Sequence, residues 1–566
     1  MNIIERPHLP AALAALCAAG VDPVIARLLA ARGVSDRGEL QPQLAGLLPP
    51  DGLRGLAEGA ALLADAIERH EPLLIVADYD CDGATACAVM MRGLAMFGAR
   101  VDYLVPNRFE HGYGLTEPIV ELACSHPRLG KPAIIVTVDN GIASVAGVAR
   151  AAALGIRVLV TDHHLPGAEL PAAAAIVNPN QPGCGFASKH LAGVGAAFYL
   201  LLGLRAELRR RGRFAGAQEP PLQSLLDLVA LGTVADLVKL DGNNRILVAA
   251  GLKRIRAGRA CEGIRALLAV AGRESGRLSA ADLGFAVAPR INAAGRLSDI
   301  SVGIECLLTD DPARAFELAS LLDGINRERR EREARMREDA MLDVAGFDHG
   351  NRWSAVVHRP DWHGGIVGLV ASRLKDHLHR PVFAFAPSAG APGELRGSGR
   401  SIPGIHLRDT LDLVTKREPG LIPRYGGHAV AARLAPPAHR RPGFGAAVGG
   451  GGGEPGAAHR FRPPLLTDGP LPAERMSVAL VEQLESFVWG QGFPEPVFSD
   501  LFEVRAQRLV KERHLRLTLG CGSRTLGAIW FDRVEPLPPR CRLAYRLARD
   551  DYGSPPTVQL MIVGGG

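Results

Sequence analysis

The chain has 566 residues, 47% of them hydrophobic and 22% charged, with a formal net charge of +6 and a pI near 8.9. At about 150 residues per domain, that length predicts three or four cores rather than one, and the composition is that of an ordinary soluble protein. The mild basicity suits a polyanionic partner without the charge density of a histone-like tail, and no apolar run reaches the roughly 18 residues that a membrane span requires.

Residues 9–20 are Ala-rich and follow Arg6, which imitates a signal peptide. The apolar spacing continues through Val24, Ile25, Leu28 and Leu29, so residues 1–55 read instead as an attached helical segment containing a short hairpin. Nine cysteines with no Cys-x-x-Cys pair argue against a disulfide framework and a zinc knuckle. The cytoplasm is the expected compartment.

From residue 73 to about 240, apolar strands at 73–77, 101–105, 133–138, 158–161 and 176–177 alternate with Ala-rich helical stretches. That alternation predicts an α/β fold with a parallel sheet covered by helices, in a catalytic domain spanning 56–310. The unusual polar residues follow the strands, where open α/β sheets place their ligands. Residues 311–345 read as one connecting helix, with Phe316, Leu318, Leu321 and Leu322 as an apolar stripe. The mixed-charge stretch 326–339 is expected to be a solvated surface, with a DNA-lining face as the alternative.

Residues 346–437 again alternate strands and helices and form a second, smaller α/β domain. Residues 443–456 include Gly449 to Gly453 in succession and are expected to hold no stable helix, which places a Gly-rich linker over 438–465. Residues 466–566 contain strand-like runs at 497–504, 515–519, 526–531, 542–546 and 557–563, as in an OB-like β-barrel. Of the aromatics Phe498, Phe502, Trp530, Phe531 and Tyr545, most are expected in the barrel core and the minority on a nucleic-acid face.

Asp78-Tyr79-Asp80-Cys81-Asp82-Gly83 places three carboxylates at alternate positions after a strand. They repel one another by several kcal/mol unless neutralised; a divalent cation does this, although an acidic turn capping the next helix is a competing reading. The pattern then repeats in Thr137-Val138-Asp139-Asn140-Gly141 and in Thr161-Asp162-His163-His164, and Leu231-Gly232-Thr233-Val234-Ala235-Asp236 adds another acid after an apolar helix-like run. Carboxylates with imidazoles suit manganese, magnesium or iron-type ions, and the ligands suffice for two ions acting on a phosphoryl centre.

In this order, these four motifs resemble those of the DHH phosphoesterases. The run from Gly284 through Pro289, Arg290, Asn292 and Arg296 to Leu297 is similar to the RecJ branch. Trp362-His363-Gly364-Gly365, Gly397-Ser398-Gly399-Arg400-Ser401 and Gly426-Gly427-His428 resemble the DHHA1 module, and residues 490–498 resemble the entry to an OB domain. The resemblance implies metal ligation by Asp80, Asp82, Asp139, His163 and Asp236, with Asp139 bridging two Mn2+ or Mg2+ ions and Asp78 binding directly or through water. It implies that Asp162 orients the imidazoles and that His164 faces the scissile phosphate. Arg108, Arg290, Asn292, Ser398, Arg400 and His428 are implied to hold the substrate.

Two departures stand out. Val76 lies where many DHH relatives have a histidine, which leaves one ion a more open shell, and Arg433 replaces a glycine of the DHHA1 pattern.

The implied activity is 5′ to 3′ exonuclease action on single-stranded DNA in recombination and repair, beside single-strand-binding protein and a helicase. The competing readings are a DHH phosphodiesterase acting on short oligonucleotides or cyclic dinucleotides, and an inert DNA-binding relative.

Overall fold

The computed structural model describes residues 2–106, 114–216, 218–346, 352–388, 391–450, 464–551 and 554–565. Strand β1 (Ile3–Glu5) precedes two helices, Pro10–Ala18 and Pro23–Ala30, which form the expected hairpin. Leu16, Ile25, Leu28 and Leu29 are buried in the largest hydrophobic core, and Arg27 and Arg32 of the hairpin donate to the Pro470 and Pro494 carbonyls.

The first sheet contains β2 (Pro72–Ala77), β3 (Arg100–Leu104), β4 (Ile134–Val138), β5 (Arg157–Thr161) and β6 (Ala175–Val177). All are parallel, in the order β3-β2-β4-β5-β6. From β2 the chain winds to one side to form β3 and then returns to the other side for β4. The crevice between the carboxyl ends of β2 and β4 is therefore the switch point at which such sheets bind ligands.

The helix Pro312–Asp343 has 32 residues and is about 48 Å long at 1.5 Å per residue. Its first half buries Leu318 and Leu322 in the core of the catalytic domain, and its second half buries Met336 and Ala340 in the core of the next. It holds two cores at a fixed spacing. The second domain contains β7 (Ala355–His358), β8 (Val382–Pro387), β9 (Leu395–Arg400), β10 (Tyr425–Gly427) and β11 (Ala431–Leu434), in the order β10-β11-β9-β8-β7. Only β7 and β8 pair in parallel.

The expected Gly-rich linker is corrected in part. A helix occupies Arg441–Gly450, because Phe444 is fully buried edge-on against Phe383 and Phe385 at centroid distances of 5.1 and 5.4 Å. Burial of Phe444 and Val448 outweighs the cost of about 1 kcal/mol that each helical glycine carries. Residues 451–456 of that stretch lie outside the described residues.

Strand β12 (Leu465–Thr467) pairs in parallel with β1, so the amino terminus is tied to the carboxyl-terminal region. The Arg32 guanidinium meets Asp468 at 2.7 Å with both side chains at most 1% exposed. A closed barrel follows, built from β13 (Phe498–Val510), β14 (His514–Cys521), β15 (Arg524–Trp530), β16 (Arg540–Asp550) and β17 (Thr557–Gly565), in the order β13-β14-β15-β17-β16. Phe498, Phe502 and Tyr545 fill its interior, whereas Phe531 is 48% exposed and Trp530 lies under the Arg533 guanidinium.

Candidate metal centre

Strands β2, β4 and β5 each extend the hydrogen-bond ladder by one residue. The Asp78 N–H donates to the Val138 carbonyl at 3.3 Å, that of Asp139 to Thr161 at 3.1 Å and that of Asp162 to Val177 at 3.1 Å. Three acids thus stand in a row at the strand ends. Asp80 caps the helix Cys81–Met96, its Oδ1 accepting from the N–H groups of Asp82 and Gly83 at 3.0 and 3.1 Å. Asp82 accepts from the N–H groups of Gly193 and Val194 at 2.6 and 3.0 Å, where the helix Gly193–Arg210 begins. Both carboxylates thus sit where helix amino termini present backbone N–H groups. Asp236 comes from a helix end, capping Leu226–Ala235, after the apolar helix-like run that the sequence showed there.

Asp139 adopts a left-handed backbone with φ +61°, a conformation that costs a non-glycine residue about 1–3 kcal/mol. Gly193 makes room for it, since a Cβ there would lie 2.5 Å from the Asp139 Cβ and Oδ1. His163 Nε2 then lies 3.1 Å from Asp139 Oδ1, 3.4 Å from Asp236 Oδ2 and 4.0 Å from Asp82 Oδ2. Three sets of ligand atoms each cluster within 4.8 Å: Asp139 with His163 and His164, Asp82 with His163 and Asp236, and Asp78 with Asp80 and Asp139.

A cation fits this arrangement. Asp78 Oδ1, Asp139 Oδ1 and His163 Nε2 are buried without a hydrogen-bond partner among the described residues, and such atoms are costly to leave unsatisfied. Burial, then repulsion from Asp80, pushes Asp78 and Asp82 up to about 7. Burial and the neighbouring acids raise Asp139 and Asp236 well above the usual carboxylate range. Burial and the adjacent His164 bring His163 down to about 4, which leaves it a neutral imidazole at pH 7. Raised acids around a neutral imidazole are an oxygen and nitrogen donor set for a hard divalent ion.

Asp162 plays a different part. Its Oδ1 accepts from the backbone N–H groups of His163 and His164 at 2.7 and 3.1 Å and lies 2.8 Å from His164 Nδ1, while Oδ2 accepts from the Ile142 N–H at 2.9 Å. Burial opposes its charge, yet the His164 hydrogen bond and both imidazoles hold its carboxyl below the ordinary range. Burial likewise works against charge on His164, and Asp162 outweighs it, pushing His164 up to about 9. The histidine backbone is clamped by residues the sequence reading missed. Asn178 donates to the His164 carbonyl at 3.0 Å and Asn180 to that of His163 at 2.6 Å. Their signal was present, because Asn178 follows β6 as each acid follows its strand.

The second domain faces this row across a cleft lined by Asp78, Tyr79, Asp80, Ser398, Arg400 and Arg433. Arg400 Nη1 donates to Ser398 Oγ at 2.8 Å, and burial, with Arg296 and Arg433 nearby, lowers the guanidinium to about 10. His428 sits in a tight turn closed by its N–H on the Ala431 carbonyl at 2.9 Å. Burial followed by His164 lowers its pKa, so the two imidazoles sense each other across the cleft. Arg433 donates to the Tyr79 hydroxyl at 3.2 Å. Val76 is buried in β2, and Arg108 lies outside the described residues.

Two of the expected substrate residues also make contacts within the chain. Arg290 is 8% exposed, pairs with Asp323 at 2.8 Å and donates to the Ala286 carbonyl, so it joins two helices. Asn292 Oδ1 accepts from the Cys81 N–H at 2.9 Å and steadies the first acidic loop.

A parallel sheet with acids and imidazoles at its switch point, faced by a mixed-sheet domain, defines a DHH phosphoesterase. Residues 72–233 match the DHH family N-terminal domain and residues 353–448 the DHHA1 domain. Residues 467–564 match the RecJ OB domain. The chain belongs to the RecJ family. It is 47% identical over 95% of both chains to the single-stranded-DNA-specific exonuclease RecJ of Dickeya dadantii. It is 44% identical to that of Escherichia coli over 99% of this chain and 97% of the relative. The crystal structure of RecJ from Thermus thermophilus in complex with Mn2+ superposes with a TM-score of 0.82 and 30% identity, covering 100% of this chain and 79% of the other. The Mg2+ complex of the same protein gives 0.75 and 30%, covering 100% and 78%.

Proposed function

We propose that the chain is a metal-dependent exonuclease that hydrolyses single-stranded DNA from its 5′ end. The observation that carries this is the group of buried, unsatisfied atoms on Asp78, Asp139 and His163, set among acids whose pKa values are raised. Asp80, Asp82, Asp139, His163 and Asp236, with Asp78, would hold Mn2+ or Mg2+, two ions in all, Asp139 being shared. Bound there, such ions supply hydroxide from water at neutral pH and charge stabilisation at phosphorus.

The chain's own residues do the rest. With its pKa near 9, His164 is an imidazolium at neutral pH. Asp162 holds Nδ1 and so leaves the Nε2–H to donate to a non-bridging phosphate oxygen or to the leaving oxygen. Ser398 and Arg400, joined by their own hydrogen bond, offer a hydroxyl and a guanidinium to the terminal phosphate. His428 approaches the same phosphate from the turn that follows β10.

The 5′ to 3′ polarity, the setting in recombination and repair, and contact with single-strand-binding protein and a helicase rest on family membership. So does action in the cytoplasm. No helix among the described residues is long and apolar enough to cross a membrane.

End-labelled single- and double-stranded DNA and dinucleotides, incubated with Mn2+, Mg2+ or chelator, test the reading. Single strands are shortened from the 5′ end only when metal is present. Preferential hydrolysis of dinucleotides would favour the short-substrate reading instead.

A further inference from the structure

A second cleft adjoins the first. It is lined by Phe285, Arg296, Arg329, Arg330, Arg337 and Arg373, and Arg296 lines both clefts, so they are neighbours. Phe285 is 77% exposed, unusual for a large aromatic beside packed helices.

Its position follows from the sequence. Pro289 has no N–H to give the Phe285 carbonyl, and its ring collides with that carbonyl in an ordinary helix. The chain widens into a π-turn over Leu283–Val287, the kind of bulge that recurs at functional sites. Arg290 fastens this turn by donating to the Ala286 carbonyl while pairing with Asp323 of the long helix. The backbone that carries the exposed ring is thus tied to the long helix.

Charge in the cleft is one-sided. Five guanidinium groups face a single carboxylate, Glu333, which pairs with Arg329 at 2.5 Å and Arg373 at 3.3 Å. Arg330 and Arg337 are exposed and make no ion pair among the described residues. They lie seven residues apart on one helical face, about 10 Å along the axis. A stacking surface beside a row of cations is the arrangement that binds single-stranded nucleic acid without reading its sequence.

We infer that this cleft is a second binding site for the single strand, in which one base stacks on Phe285 and the flanking phosphates lie on Arg330 and Arg337. The site holds the part of the strand outside the metal centre and makes the enzyme prefer long strands. The inference rests on the nuclease reading above.

The test compares kcat/KM for a trinucleotide with that for a strand of about 16 nucleotides, a length that spans an extended site. In the full chain with Mn2+, Phe285→Ala should reduce the preference for the long strand about tenfold, as loss of one stacked base requires. Phe285→Trp should restore it, which a merely structural role for the ring would not predict. Arg330→Gln with Arg337→Gln should flatten the salt dependence of long-strand binding by about 1.4 in logarithmic slope, at about 0.7 per phosphate contact. If the unaltered enzyme cleaves and prefers long strands while these variants keep the full preference and slope, this inference is overturned and the nuclease reading stands. If the unaltered enzyme cleaves neither length, the nuclease reading itself fails.

Discussion

Arg433, on β11 of the second domain, donates to the hydroxyl of Tyr79, which sits between the acids Asp78 and Asp80. The residue that breaks the DHHA1 pattern is therefore the one that reaches across the cleft to the metal loop. The contact joins the two walls of the cleft.

Removing this link should alter substrate capture more than chemistry. Tyr79→Phe and Arg433→Met should each raise KM by up to about tenfold, in line with one hydrogen bond of about 0.5–1.5 kcal/mol, while kcat changes less. The double variant should be no worse than the worse single one. Additive losses would mean that the two side chains act separately.

The acid cluster should make the chelated protein sensitive to pH. Asp78 and Asp82 stand at about 7 in the folded chain against roughly 4 when unfolded. Between those values the folded state holds the extra protons, so stability is full below about pH 4 and is lost as pH rises through 7. Melting of the protein in chelator should therefore worsen from pH 5 to 8 relative to Asp78→Asn, and added Mn2+ should abolish the difference. Parallel melting curves for the two proteins in chelator would contradict the assignment.

The pair Asp162 and His164 predicts a shift in the rate profile. If the His164 imidazolium donates its proton, activity should fall as pH passes about 9. Asp162→Asn removes the carboxylate that raises the imidazole, so the alkaline limb should move down toward the ordinary histidine value of about 6.5. A lower kcat with an unmoved limb would instead give Asp162 a purely structural role.

Stability depends on an ion pair far from the site. Arg32 and Asp468 are both almost fully buried, and Arg32 also donates to the Pro494 and Leu28 carbonyls. Arg32→Leu leaves the buried Asp468 carboxylate with the Val497 N–H at 2.9 Å and the more distant Arg6 guanidinium at 3.7 Å. The cost should be about 3 kcal/mol, the lower end for breaking a buried pair. Denaturant unfolding would show this as an earlier midpoint, and Arg32→Leu with Asp468→Leu should recover part of the loss. Equal midpoints for Arg32→Leu and the unaltered chain would show that the pair contributes nothing.

The sequence by itself determined the strands and the identity of the acids. Alternation of apolar runs with helices specifies a parallel sheet, and Asp78, Asp139 and Asp162 can be located because each directly follows a run of buried β residues. The barrel strands were legible for a similarly local reason, short strand-like runs separated by turn residues. What only tertiary structure decided is contact between distant segments. Whether Arg290 faces DNA or Asp323, whether glycines 443–450 join a helix, and whether the amino terminus pairs with β12 all depend on partners remote in sequence. Side-chain pattern reports which face of an element is apolar, but burial energy is set by what covers that face. Phe444 against Phe383 therefore overrode the local cost of glycine, and Pro289 turned Phe285 outward where its hydrophobicity alone would have placed it inside.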